Sequence, residues 1–70
     1  MKIHYDPDSD SLYIRLSGNT NVESDEVAPG VVLDFDQNNQ IVGIEIEHAS
    51  KVADLERLET DFLLGKKLSA

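Results

Sequence analysis

The sequence predicts an α+β fold: a five-stranded antiparallel, mainly meander sheet over about 2–6, 11–16, 22–28, 31–36 and 40–47, followed by one C-terminal helix over about 51–64. Three observations predict it. Apolar side chains recur with period two as far as Ile46, the rhythm of strands with one dry and one wet face. Clusters rich in Asp, Ser, Asn, Gly and Pro separate those runs. After Ala49 the apolar spacing changes to three and four.

The first two strands are the alternating runs Ile3, Tyr5 and Leu12, Ile14, Leu16. Asp6-Pro7-Asp8-Ser9-Asp10-Ser11 connects them as a tight turn, because Pro fixes φ while Asp and Ser bond their own backbone. A second polar connection, Ser17 to Asn21, leads to a weak strand whose middle is Glu23-Ser24-Asp25-Glu26. So polar a strand belongs at a sheet edge, where charge discourages further pairing. Pro29-Gly30 fits the centre of a type II turn. Two β-branched runs joined by Asp36-Gln37-Asn38-Asn39 then read as a hairpin. The unbroken Val31-Val32-Leu33 suggests a strand near the middle of the sheet, and Gly43 marks a close approach or a bulge.

For the helix, Ser50 reads as the N-cap, Asp54 as a first-turn acid, and Gly65-Lys66-Lys67 as the stop. Leu55, Leu58 and Phe62 form a narrow apolar stripe that packs either on the chain's own sheet or on another chain. Residues 1–70 read as a single small domain, with 66–70 a frayed tail.

Composition excludes several classes of function. There is no cysteine, so disulfides, zinc ribbons and thiol chemistry are out. Six Lys and Arg stand against fourteen Asp and Glu, a net charge of −8. That balance opposes phosphate tracking on nucleic acid and docking on an anionic membrane. No apolar window is long enough to span a bilayer, and the N-terminus lacks the apolar core of a secretory signal, so a cytoplasmic address is expected.

The opening Met1 to Asp6, Asp10 to Leu16, Pro29 to Asp36, and Val42 to Ile46 followed by Ala49-Ser50 together resemble a family of small bacterial proteins. That family is catalogued only as a domain of unknown function. The resemblance covers residues 1 to about 52 and implies a stand-alone β-rich domain. Some members are encoded beside small proteins similar to ribonuclease-type toxins, which implies an antitoxin-like role for part of the family. It carries no catalytic or ligand-binding residue onto this chain.

The residues themselves offer few chemical constellations. Asp6, Asp8 and Asp10 have calcium-loop spacing, but Ser11 and Ser17 stand where such a loop needs Gly and a bidentate Glu. His4 and His48 have no metal-ligand spacing. No serine lies in a nucleophile elbow. No catalytic residue, cofactor or metal is therefore expected. The interface residues to watch are Asp34, Asp36, Glu45 and Glu47 for attracting a basic protein, and Leu55, Leu58 and Phe62 for anchoring it. The reading is a non-enzymatic, homodimeric interaction module, antitoxin-like in its concrete version. The alternatives are a small-ligand or metal-binding domain, or a structural subunit of a larger assembly.

Overall fold

The computed structural model describes residues 1–18 and 22–61. Its elements are β1 (Lys2–Asp6), β2 (Ser11–Arg15), β3 (Glu23–Ala28), β4 (Val31–Phe35), β5 (Ile41–Glu47) and the single-turn helix α1 (Ala49–Val52). The strands form one sheet in the order β1-β2-β5-β4-β3, antiparallel throughout. The fold class is the one the sequence predicts, with strand ends within one residue. The order, however, joins a hairpin (β1-β2) to a meander (β3-β4-β5) by pairing β2 with β5. The central strand is thus β5, and β4 with its Val31-Val32-Leu33 run is second from the edge. As its charges require, β3 is an edge strand exposed along its whole length.

The register sorts side chains into two faces. Ile3, Ile14, Ile44 and Leu33 lie in one row across the sheet, and Tyr5, Leu12, Ile46 and Val31 in the next. Since successive residues of a strand point to opposite sides, these rows make one apolar face. The opposite face carries Lys2, Arg15, Gly43, Asp34 and Ser24 in one row, then His4, Tyr13, Glu45, Val32 and Glu26. The Pro29-Gly30 turn forms as expected: Gly30 takes φ 78°, and its N–H donates to the Glu26 carboxylate at 3.1 Å. Register shifts at Val27 and Val42 add one residue to β3 and β5.

The C-terminal segment departs from expectation. Instead of a helix over 51–64, α1 makes one turn and ends at Ala53, whose backbone is extended. His48, in the left-handed region, occupies the N-cap position assigned above to Ser50. Asp54 accounts for the early stop. It accepts from Glu56 N–H through its carboxylate at 3.2 Å and from Arg57 N–H through its carbonyl at 3.3 Å. This local turn competes with helical bonding, and an isolated helix nucleus is too costly to resist it. The expected helix end at 62–64 and the tail at 66–70 lie outside the described residues.

The core is small. Val42 and Ala49 are the buried hydrophobic residues among those described, 3% and 0% exposed. The chain measures 37 × 34 × 19 Å, the shape of a single layer. Domains normally close a core between two layers. Here, among the described residues, Ala53, Asp54, Leu55, Arg57 and Leu58 border a groove of about 400 Å³ on the apolar face against Ile3, Tyr5, Leu12 and Ile14. No helix among the described residues is long and apolar enough to cross a membrane.

Candidate functional site

The structure separates the two groups of interface residues singled out in the sequence. Asp34, Glu45 and Glu47 share the polar face with Glu26. Asp36 lies just beyond β4, where its carboxylate accepts from Asn38 N–H at 2.8 Å and Gln40 N–H at 2.9 Å, so it shapes the hairpin loop. Leu55 and Leu58 border the groove on the other, apolar face. Phe62 lies outside the described residues. One partner surface therefore cannot use Glu45 and Glu47 for attraction and Leu55 and Leu58 for anchoring on a flat sheet.

On the polar face a hydrogen-bond network crosses three strands. The Tyr13 hydroxyl donates to Asp34 Oδ2 at 2.6 Å, and the Ser24 hydroxyl donates to Asp34 Oδ1 at 2.6 Å. Tyr13 is on β2 and Asp34 on β4, so the phenol must pass over β5, and it passes over Gly43. A Cβ at residue 43 would fall on the Tyr13 hydroxyl and come within 2.7 Å of its Cζ. Glycine is required there to clear the ring. The bond to Asp34 is the main reason the Tyr13 phenol holds its proton above the ordinary tyrosine range; burial adds to it, and Arg15 opposes it. The Arg15 guanidinium stands 5.7 Å from the ring centroid, within cation–π range. With Lys2 and His4, Arg15 and Tyr13 border a depression of about 250 Å³ at the β1 side of this face. The charge of the polar face is thus divided, basic at the β1 end and acidic from β5 to β3.

The aspartate turn is occupied by its own chain. The Asp6 carboxylate accepts from Asp8 N–H at 3.1 Å and from the Ser9 hydroxyl at 2.9 Å. Asp10, at φ 54°, accepts from the Tyr5 hydroxyl at 2.7 Å, Ser50 N–H at 3.0 Å and the Ser50 hydroxyl at 2.7 Å. Its carbonyl accepts from Ala49 N–H at 2.9 Å. Asp10 therefore ties the first hairpin to the start of α1, a link between residues 40 apart that no local pattern reveals. Stabilised as an anion by these donors, Tyr5 first and Ser50 next, its carboxyl titrates below the usual carboxylate range. Reciprocally, Asp10 raises the pKa of Tyr5. Among the described residues no three His, Asp or Glu side chains are grouped to hold a metal ion.

Comparison with known proteins agrees with the resemblance noted in the sequence. The chain is 32% identical over 59 residues to the uncharacterised protein MJ0789 of Methanocaldococcus jannaschii, an alignment covering 84% of this chain and 50% of that protein. The chain thus spans about half the length of this relative. No solved structure matches. A family model described as a protein of unknown function, DUF2283, matches residues 2–50, the whole sheet and the Asp10–Ser50 link, and the chain belongs to that family.

Proposed function

We propose that this protein is a non-enzymatic interaction module whose acidic polar face binds a basic protein, an antitoxin-like neutraliser being the concrete form. The observation that carries it is the set of carboxylates Glu26, Glu45 and Glu47 on one open face of a chain of net charge −8. These acids stand on paired strands of one sheet, so a cationic groove meets several carboxylates on a single face. Such complementarity speeds association and selects partners by charge. A neutraliser would occlude a cationic RNA-binding groove by competing for the same field.

The test is a capture from native-host lysate, followed by binding of the purified captured protein to wild type and to Glu45→Lys/Glu47→Lys. A basic protein whose dissociation constant rises at least about ten-fold with the double reversal is expected, since close interfacial charge pairs couple strongly. Recovery of no specific basic protein, or affinity indifferent to the reversal, overturns the reading.

A further inference from the structure

We infer that the apolar face is the seat of a second copy of this chain, stacked sheet against sheet about a two-fold axis running parallel to the strands. This goes beyond the proposed function and uses the opposite face, so either can fail without the other.

The register comes first. The face holds Ile3, Ile14, Leu33 and Ile44 in one continuous row, with Ile3 46% exposed and the other three half-buried. A continuous apolar row that one chain leaves part-exposed marks an interaction site, and aligned sheet packing is a standard way to cover it.

Relief and charge then fix the orientation. Among the described residues, Ala53, Asp54, Leu55, Arg57 and Leu58 border the β1–β2 half of the face and raise it, and the β4–β3 half lies at the other end of the strand order. A two-fold axis along the strands lays the raised half of one copy on the β4–β3 half of the other. An axis across the strands would set raised half on raised half and acid on acid. On the β4–β3 half, Asp25 pairs with Leu33 and so points to this face, as does Glu23 opposite Phe35. On the raised half stands Arg57, whose guanidinium reaches Glu59 at 2.5 Å with both side chains well exposed. The parallel axis brings each copy's Asp25 and Glu23 toward the partner's Arg57, twice by symmetry.

Sedimentation equilibrium of the full chain at tens of micromolar, with charge variants, tests this. Wild type is expected to be a dimer. Asp25→Lys is expected to raise the dimer dissociation constant about two- to thirty-fold, as two exposed ion pairs are lost together. Asp25→Lys/Arg57→Glu is expected to recover most of the loss. Glu45→Lys, on the polar face, makes the same change in net charge as Asp25→Lys and is expected to tighten the dimer by easing general repulsion. A monomer at these concentrations overturns the inference, whatever then covers the face. A dimer that Asp25→Lys tightens as much as Glu45→Lys does overturns it as well, because the contact then lies elsewhere.

Discussion

Gly43 shows how one missing side chain organises a surface. Only because residue 43 has no Cβ can the Tyr13 phenol cross β5 and reach Asp34 on the next strand but one. Gly43→Ala is expected to displace the ring and destabilise the fold by about 1–3 kcal/mol, the usual cost of forcing a methyl into a filled site. The displacement also has a titration signature. In the folded protein the Tyr13 pKa is raised above its ordinary value of 10.0, chiefly by the bond to Asp34. Stability from that bond is fully present below pH about 10 and is lost as pH rises through the folded value. In a Tyr5→Phe background, absorbance at the phenolate band is expected to show Tyr13 ionising at higher pH when Gly43 is kept than when Gly43→Ala is added. Coincident titrations would mean that the glycine does not set the contact. The sequence made half of this legible: an isolated glycine in a strand signals close approach. The identity of what approaches depended on β2 lying beside β5, a pairing that no local pattern encodes.

The strands were readable and the helix was not, for one physical reason. Alternation is a local signal, and β1, β2 and most of β5 keep it, so Ile3, Tyr5, Leu12, Ile14, Ile44 and Ile46 announce their elements directly. The strands β3 and β4 are legible instead from the turns that bound them and from the β-branched run of Val31-Val32. Leu55, Leu58 and Phe62 keep helical spacing too, but spacing alone does not nucleate a helix, and Asp54 offers its backbone neighbours a competing turn. With Leu58 72% exposed, the stripe lacks a surface within the described chain deep enough to repay ordering. What holds α1 is instead the first hairpin, through Asp10, Ser50 and Ala49. That attachment is charged, so it depends on pH. The folded Asp10 pKa lies below its unfolded value of 3.8, so its stabilising contribution is present above about pH 4 and is lost as pH falls through the folded value. Asp10→Asn keeps a residue tolerant of φ 54° while removing the titration. Melting temperatures recorded from about pH 5 to about pH 2, the range over which a depressed carboxylate loses its contribution, are expected to fall more steeply for wild type than for the variant. Parallel curves would remove the clamp from the account of acid stability.

The two faces of the sheet impose opposite demands on the chain as a unit, and salt separates them. A net charge of −8 on each copy repels a second copy, yet it attracts a basic protein. At physiological ionic strength the screening length is about 8 Å, and at molar salt about 3 Å. Added salt therefore relieves repulsion between copies while leaving the burial of Leu33, Ile44 and their row intact, because that driving force is not electrostatic. The rim contact of Asp25 and Arg57 works in the other direction, but it is a local pair set against the repulsion of every carboxylate on both chains. For the polar face, salt weakens the field that steers a cationic partner, so the association rate falls while dissociation changes less. Raising sodium chloride from about 0.05 to about 0.5 M, across which screening tightens severalfold, is thus expected to strengthen self-association and to slow capture of the basic partner. Sedimentation read beside stopped-flow mixing checks both signs on one preparation. Self-association that weakens with salt would identify it as charge-driven, a property the row of isoleucines and leucines cannot supply, and would move the contact off the apolar face.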